Sequence, residues 1–482
     1  MKKIITAILI GAGNRGMDVY GNYALKFPNK LKFVAVAEPI QFRKERFAKF
    51  HNIPSNRMYN SWEELLGEKK FADVAFICTQ DQLHVEPTLE ALDKGYNVLL
   101  EKPMAPTLEG CIKIIKKIED TKRILGVCHV LRYTNFFITI KDVILKGLLG
   151  TIVNISHREN VSWYHMAHSF VRGNWRNVSL SSPMILAKCC HDLDLLYWMV
   201  GAKAKNVSSF GGLKHFRASN APKDSPNYCV EGCPKESTCL YYAPRIYIDI
   251  VPIIQILEKS NQIGLKILAN LRKKHVRILT SLSKLIKLLH RLRYWREWPV
   301  EPLYSGLPEE SIEDYTDETK MKILKTSPYG RCVYKCDNDV VDHQVVNIEF
   351  ENNVTANLTM HGFSEREGRT LRIDGTKATL IGQFFDSGQE ITLFDHFSGT
   401  KKVIFSQKLT INNSGHGGGD FALIDAFLET LNKNKSQPLT NAFETLESHL
   451  MAFAANESHL QGKVIAMENL RRIYENLNNT NF

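Results

Sequence analysis

The run Glu101-Lys102-Pro103 offers the clearest chemistry in this chain of 482 residues. It follows a short apolar segment, Asn97–Leu100, which predicts a buried strand that ends at the run. Open α/β sheets bind ligands at the carboxyl ends of their strands, and Pro103 restricts the backbone that aims the lysine. An amine can accept a proton near neutral pH once burial or a nearby positive charge lowers its pKa. Lys102 is therefore predicted to carry a proton at a ligand-binding edge.

A glycine-rich loop near the start of the chain separates an apolar strand from a helical pattern: Gly11-Ala12-Gly13-Asn14-Arg15-Gly16. Its glycines would allow backbone N–H groups to approach a pyrophosphate at a helix amino terminus, where the helix dipole favours anions. Glu38 ends the second predicted strand, where its carboxylate can accept bonds from both ribose hydroxyls and repel a 2′-phosphate. The pattern predicts a dinucleotide site that prefers NAD to NADP. Two alternatives stay open: Arg43 could reach a phosphate, and Glu38 could be a solvated acid.

A second candidate for proton transfer is His191, in the stretch 187–196. The apolar positions of this stretch predict one helix, which would place Lys188, His191 and Asp194 along one face. A histidine there can act as a general base, and Asp194 can orient it or bind a substrate hydroxyl. A histidine packed in the core is the alternative.

Further polar and aromatic side chains are expected to line a substrate pocket. His129, Arg132 and Tyr133 follow the last strand of the first predicted domain, at its mouth. A later segment carries polar groups and rings of the kind that bind sugars: His165, His168, Arg172 and Trp175. Each of these residues alone is equally consistent with a structural role. The run His416-Gly417-Gly418-Gly419-Asp420 indicates either close backbone approach to a ligand or a tight turn.

Strands and helices alternate over the first 128 residues. The predicted strands are near-continuous apolar runs at 4–10, 31–37, 74–78, 97–100 and 124–127. Such strands form a parallel sheet that is covered on both faces. Later strands follow one another closely, and Glu351-Asn352-Asn353 predicts a hairpin between 345–350 and 354–360. The predicted fold class is α/β: an N-terminal Rossmann doubly wound parallel sheet (1–128), then a C-terminal α+β domain (129–482) on an open, mostly antiparallel sheet.

The pattern breaks between about 213 and 340, which predicts an insertion in the second domain. Eleven Lys or Arg against two Glu lie between 250 and 298, so this segment carries most of the net charge of +11. Its apolar residues follow a heptad seam over 268–292. Packing or self-association is the favoured interpretation, with contact to an anionic membrane surface as the alternative. Nucleic acid is not an expected partner, because no recognition module accompanies the charge.

Ten cysteines are too few, in a chain of this length, for a secreted disulfide scaffold. Half of them lie in the insertion: Cys229, Cys233, Cys239, Cys332 and Cys336. Their spacing could suit a structural zinc ion, and buried unpaired thiols are the alternative. The apolar run 4–10 is minimal for a signal peptide, and the glycine loop follows where a cleavage site should lie. A cytoplasmic protein is therefore expected.

Four motifs together resemble the Gfo/Idh/MocA oxidoreductase family, whose members act mostly on sugars, cyclitols and their derivatives: Gly11-x-Gly13-x-x-Gly16, Thr79 with His84, Glu101-Lys102-Pro103 and His191-Asp192-Leu193-Asp194. The resemblance implies that NAD is bound by Gly11, Gly13, Asn14, Arg15, Gly16, Glu38, Thr79, His84, Glu101 and Lys102. It also implies that Lys102 shares the proton of the reacting hydroxyl while hydride passes to the nicotinamide, with His191 as the second catalytic residue. Substrate contacts are expected from Arg132, Tyr133, His165, His168, Trp175, Lys188 and Asp194.

Ala187 departs from the family pattern, because dehydrogenases of the family often carry aspartate four residues before this histidine. Lys188 could compensate as a cation for an acidic substrate. Three functions stay open: an NAD-dependent oxidoreductase of a secondary alcohol, a glycosidase that oxidises and re-reduces its sugar, and a non-catalytic sensor of dinucleotide and sugar. Retention of both Lys102 and His191 favours the oxidoreductase. An exposed antiparallel sheet favours a homodimer or homotetramer.

Overall fold

Two β-sheets organise the chain. The computed structural model describes residues 3–249, 299–304, 316–385, 388–408, 416–433 and 437–479. A six-stranded sheet forms from the amino-terminal part and a nine-stranded sheet from the remainder. The strands, numbered in chain order, are β1 (Ile5–Ile10), β2 (Leu31–Ala37), β3 (Met58–Tyr59), β4 (Val74–Ile77), β5 (Asn97–Leu100), β6 (Leu125–Val127), β7 (Ile152–Ser162), β8 (Ala204–Gly212), β9 (His343–Phe350), β10 (Thr355–Ser364), β11 (Gly368–Gly375), β12 (Ala378–Phe385), β13 (Gly388–Asp395), β14 (Lys401–Gln407) and β15 (Ile465–Ala466).

Helices connect the strands of the first sheet and pack around both sheets. Those in the described residues, numbered in the same way, are α1 (Asn22–Lys26), α2 (Gln41–His51), α3 (Trp62–Gly67), α4 (Val85–Asp93), α5 (Leu108–Thr121), α6 (Asn135–Leu145), α7 (Trp163–His165), α8 (Met184–Ala187), α9 (Cys190–Val200), α10 (Glu301–Tyr304), α11 (Asp317–Ile323), α12 (Gly419–Asn432), α13 (Ala442–Gln461) and α14 (Met467–Asn479). A π-helical segment, Arg15–Gly21, leads into α1.

The first sheet is parallel throughout, in the order β3-β2-β1-β4-β5-β6. Its strands are apolar on both sides: Ala7 and Leu9 pack in one hydrophobic cluster, and Ile8 and Ile10 pack in another. Burial on both faces is the environment that near-continuous apolar strands require. The predicted α/β class and its doubly wound parallel sheet are confirmed.

The carboxyl ends of these parallel strands meet at one edge of the sheet. β1 leads to Gly11, β2 to Glu38, β4 to Thr79, β5 to Glu101 and β6 to His129. The strand order reverses between β1 and β4, and such a switch point opens a crevice between the loops that follow the two strands. The sheet therefore places the predicted cofactor residues and Lys102 around one crevice.

The second sheet has the order β14-β13-β12-β11-β7-β10-β9-β8-β15. The predicted hairpin is confirmed: β9 and β10 pair antiparallel, with Val346 opposite Leu358. Most pairs of this sheet are antiparallel, whereas β7 and β10 run parallel. The long strand β7 therefore lies inside the sheet, and its carboxyl-terminal half carries Glu159 toward the buried interior.

One predicted helix is divided in the structure. The stretch 187–196 contains the end of α8 at Ala187 and the start of α9 at Cys190, so the single helical face expected for Lys188, His191 and Asp194 was wrong. The physical reason is the Lys188 side chain, which turns to the carboxylates of Glu159 on β7 and of Glu367 just before β11.

The basic segment 250–298 and its heptad seam lie outside the described residues. Among the residues that the structure does describe, no helix combines the length and the apolar character needed to cross a membrane.

Candidate active site

The glycine loop leaves room for a ligand at one position and none at another. A Cβ atom on Gly16 would lie 2.2 Å from the carbonyl oxygen of Gly11, so the loop closes tightly there. A Cβ atom on Gly13 would meet only the Arg43 guanidinium, at 3.9 Å. The bare backbone at Gly13 is the cradle that a pyrophosphate needs in order to approach the loop. The residues present therefore fit a dinucleotide cofactor.

The Glu38 carboxylate is buried beside this loop. One oxygen accepts a hydrogen bond from the backbone N–H of Ala12 at 2.7 Å, and the other accepts from Ile40 N–H at 3.0 Å. An ionised carboxylate offers about four acceptor sites, so Glu38 can still accept bonds from ribose hydroxyls. Arg43 lies close enough to the loop to compete for a phosphate, and its Nε has no hydrogen-bond partner among the described residues.

Arg15 joins the glycine loop to two distant carboxylates. Its guanidinium contacts Glu101 at 2.6 Å and Asp420 at 2.8 Å, and the Tyr20 hydroxyl also donates to Glu101. Burial acts to raise the pKa of Glu101, but Arg15 and Tyr20 outweigh it and hold that pKa below its usual value. Glu101 is thus ionised and fully engaged by protein groups, which suits it to position the loop next to Lys102.

Lys102 is partly buried, and its ammonium donates to the backbone carbonyl of Ala187 at 2.8 Å. The Lys102–Pro103 peptide bond is cis. His84 contacts the run Glu101-Lys102-Pro103 through its ring: Nδ1 lies 2.6 Å from the Pro103 carbonyl oxygen, and Nε2 lies 3.2 Å from the Thr79 carbonyl oxygen. Thr79 and His84 are therefore bonded to the run or to each other, and the Thr79 hydroxyl donates to Leu83.

His191 is buried next to Lys102 and two further histidines. Its ring centroid lies 5.5 Å from that of His129 and 5.9 Å from that of His416. Burial, followed by the charge of Lys102, lowers the pKa of His191 well below its usual value, so the imidazole is neutral. Its Nδ1 has no hydrogen-bond partner among the described residues. A neutral buried imidazole with a spare nitrogen can accept a proton from a bound ligand.

Lys188 is held by carboxylates of the second sheet. Its ammonium lies 2.7 Å from Glu367 and 3.4 Å from Glu159, and burial is outweighed by these charges, which raise its pKa. His165 contacts the same Glu367 oxygen at 3.0 Å. Burial raises the pKa of Glu159 to about 7, against the opposing charges of Arg369 and Lys188. Because Lys188 is already neutralised, it gives no support to the expectation of an acidic substrate.

Several residues predicted to bind substrate are bonded to protein groups. Arg132 and Asp194 form a two-point ion pair with both bonds at 2.7 Å, and both side chains are almost fully buried. The Tyr133 hydroxyl contacts Thr440 at 3.2 Å. His168 and Trp175 also bond to protein groups: His168 Nδ1 lies 3.1 Å from the Tyr247 hydroxyl, and Trp175 Nε1 donates to Asp81. The structure therefore shows these side chains engaged with other protein groups. Asn14, predicted to bind the cofactor, is exposed and donates to Asp18.

Four cysteines of the insertion converge in the structure. They line one small cavity: Cys229, Cys233, Cys239 and Cys332. Within the described parts of the chain, however, no three His, Cys, Asp or Glu side chains are arranged to hold a metal ion. The thiols are unpaired, and burial raises the pKa of Cys239 and Cys332. The possible zinc site therefore gains no support from the described residues.

The sequence reasoning missed the carboxylates that complete the site. Asp420 holds Arg15 and His416, and Glu367 holds Lys188 and His165. Asp420 ends a glycine run that indicates either a ligand contact or a tight turn, and that run is its only signal in the sequence. Glu367 has no local pattern around it, since its partners lie far away in the sequence.

Two models of one sequence family, one for each of its domains, match the chain. The model described as "Oxidoreductase family, NAD-binding Rossmann fold" of GFO_IDH_MocA matches residues 5–129, and that of its "C-terminal alpha/beta domain" matches 309–467. YteT of Bacillus subtilis is 20% identical over 404 residues, which cover 81% of this chain and 80% of YteT. The 1,5-anhydro-D-fructose reductase of Ensifer adhaerens is 36% identical over 158 residues, which span 32% of this chain and less than half (46%) of that enzyme.

Solved structures share the fold at low sequence identity. An oxidoreductase from Agrobacterium radiobacter, in complex with NAD+, L-tartaric acid and magnesium, has a TM-score of 0.62 at 12% identity over 97% of this chain and 100% of that one. A levoglucosan dehydrogenase in complex with NADH also has a TM-score of 0.62, at 14% identity over 96% and 99% of the two chains. These likenesses establish the fold alone.

Proposed function

Since the chain belongs to the Gfo/Idh/MocA oxidoreductase family, we propose that it transfers a hydride between a nicotinamide dinucleotide and a secondary alcohol of a sugar, cyclitol or sugar derivative. The observation that carries this proposal is the position of Lys102 beside His191, at the sheet edge that also carries the glycine loop. A sensor of dinucleotide and sugar would need neither proton carrier.

The chain's own residues supply binding and proton transfer. The loop at Gly13 and the Glu38 carboxylate would hold the cofactor, which when bound supplies the acceptor or donor of the hydride. The neutral His191 imidazole can accept the hydroxyl proton, and Lys102 can share that proton and stabilise the oxygen as charge develops on it. Arg132 and Asp194 hold the surrounding wall by their mutual ion pair.

NAD is the proposed cofactor in preference to NADP. The buried Glu38 carboxylate supports this preference: it follows β2, where the adenosine ribose would lie in a Rossmann fold, and it would repel a 2′-phosphate there. Titration of the purified protein with NAD and NADP tests this point. Tighter binding of NADP than of NAD would contradict this preference and would indicate that Arg43 binds the 2′-phosphate.

The test of the function is a screen for turnover. Purified protein is mixed with NAD or NADP and a panel of sugars, cyclitols and anhydrosugars, and formation of the reduced cofactor is followed by absorbance. We expect at least one polyol to be oxidised with net formation of NADH. Cofactor binding without hydride transfer to any member of a broad panel would overturn the proposal in favour of a sensor.

We also propose a homo-oligomer, because strands of the second sheet leave apolar side chains exposed: Val153, Phe210 and Val403. Association of two copies through the face of this sheet would cover these side chains. Light scattering after size-exclusion chromatography tests the proposal, and a monomer at micromolar concentration would contradict it.

A further inference from the structure

The carbonyl group that holds Lys102 comes from the end of a helix. Ala187 is the last residue of α8, and α9 begins at Cys190, with its first backbone bonds running from Asp192 N–H and Leu193 N–H to the Cys189 carbonyl. In an unbroken helix the Ala187 carbonyl would accept from the N–H of residue 191. Because the helix stops at Ala187, that carbonyl is free of the helical ladder and accepts from Lys102 instead.

Lys188 anchors the peptide group that carries this carbonyl. Its side chain leaves the helix and ends 2.7 Å from Glu367, which immediately precedes β11, and 3.4 Å from Glu159 on β7. Lys188 is the residue next to Ala187, so its two ion pairs tie the Ala187–Lys188 peptide to the nine-stranded sheet.

The anchor itself is held firmly. Glu367 accepts a second bond from the backbone N–H of Ser162 at 2.8 Å, and Glu159 lies 2.7 Å from Arg369. Glu159 is fully buried, and the Lys188 and Glu367 side chains are only 15% and 18% exposed. Ion pairs that water reaches so little are screened less than surface pairs, and they fix side-chain directions.

We propose that Lys188 is a positioning residue for Lys102: its ion pairs to Glu367 and Glu159 hold the Ala187 carbonyl toward the Lys102 ammonium. The catalytic consequence rests on the proposed function, whereas the positioning itself does not. A carbonyl fixes the direction of the ammonium without a counter-charge, and Ala187 offers no side-chain carboxylate for that purpose. A general acid or base must lie within hydrogen-bond reach of the proton that it transfers, so the direction of Lys102 matters for turnover.

The direct test measures Lys102 without any substrate. Competitive acetylation of the folded protein, read by mass spectrometry, gives the labelling rate of Lys102 in the wild type, Lys188→Met and Lys188→Arg. Loss of a hydrogen bond to a charged group frees the amine, so we expect labelling to rise about tenfold in Lys188→Met. Lys188→Arg keeps a cation for both carboxylates and should stay within about twofold of the wild type.

The matched control is Arg471→Met, which removes another partly buried cation that binds a carboxylate, Glu447, and a carbonyl, that of Ala204. It should leave Lys102 labelling unchanged. If Lys188→Met does not fold, Glu367→Gln weakens the same anchor more mildly and should still accelerate labelling. Wild-type labelling of Lys102 in folded Lys188→Met or Glu367→Gln would overturn the proposal.

Kinetics separate this inference from the proposed function. With an oxidised polyol in hand, Lys188→Met should lower kcat about a hundredfold, the cost of a displaced catalytic group, and leave the affinity for the cofactor unchanged. Faster labelling together with a wild type that oxidises no polyol would refute the proposed function and keep the positioning role. Unchanged labelling of Lys102 in the variant, together with a wild type that oxidises a polyol, would refute the positioning role and keep the proposed function.

Discussion

The guanidinium of Arg15 contacts the carboxylate of Asp420 at 2.8 Å, although 405 positions separate the two residues. Arg15 follows Gly13, where we propose that the cofactor pyrophosphate binds, and Asp420 ends the glycine run that begins after His416. The same guanidinium contacts Glu101, next to Lys102. One cation therefore connects the glycine loop, the strand end that carries Lys102 and the carboxyl-terminal glycine run.

Replacement of Arg15 by Met should destabilise the fold. It would leave the carboxylates of Glu101 and Asp420 buried without their cation, and removal of one partner from such a pair costs about 3 kcal/mol of unfolding free energy. Urea unfolding measures the loss. Lys117→Met is the control, because its ion pair with Asp93 lies at the surface and should contribute less than about 1 kcal/mol. Equal effects of the two substitutions would show that the Arg15 cluster is not a buried network.

The glycine loop predicts opposite outcomes for two similar substitutions. Gly13→Ala adds a Cβ in open space, so the melting temperature should be unchanged, while NAD affinity falls about tenfold or more because the cradle is filled. Gly16→Ala places its Cβ 2.2 Å from the Gly11 carbonyl oxygen and should lower stability by about 1–3 kcal/mol. Calorimetric titration and thermal unfolding of both variants provide the measurements. Full NAD affinity in Gly13→Ala would exclude the loop as the pyrophosphate site.

Lys102→Met should separate binding from turnover. The apolar side chain keeps much of the volume but cannot share a proton, so kcat should fall by about 10²–10⁴-fold, the usual contribution of general acid–base catalysis. Cofactor affinity should stay within about twofold of the wild type, since Glu38 and the glycine loop are unchanged. Lys94→Met, at a half-exposed site beyond α4, is the control that should keep full activity. Retained turnover in Lys102→Met would refute the role of Lys102.

Burial of His51 predicts a loss of stability in mild acid. The ring packs against Phe47 at 4.2 Å, and burial lowers its pKa to about 4. The unfolded chain protonates at about pH 6.5, so it binds more protons than the folded state between these values, and stability falls as pH drops. His51→Phe cannot protonate. Between pH 7 and 5 the wild type should therefore lose about 1–2 kcal/mol more unfolding free energy than the variant. Urea unfolding at the two pH values checks this, and parallel losses would contradict it.

Much of the fold could be predicted because its signals are local. Apolar runs such as 31–37 and 74–78 specify buried parallel strands wherever they occur, and Gly11, Gly13 and Gly16 fit their loop because of backbone sterics within a few residues. The hairpin of β9 and β10 could likewise be predicted from its turn residues. The division between α8 and α9 could not be predicted. The apolar periodicity continues through Lys188, and nothing nearby in the sequence marks the two carboxylates that bind its side chain.

The sequence by itself determined the type of chemistry: a glycine cradle, an acid at the second strand end, and a lysine and a histidine suited to moving a proton. Only the tertiary structure decided how these groups are held: Arg15 by Asp420, Lys188 by Glu367, and Lys102 by the carbonyl of Ala187. The physical reason is that strand and loop formation depends on neighbouring residues, whereas an ion pair depends on which of the 51 acidic side chains the fold brings to a given cation.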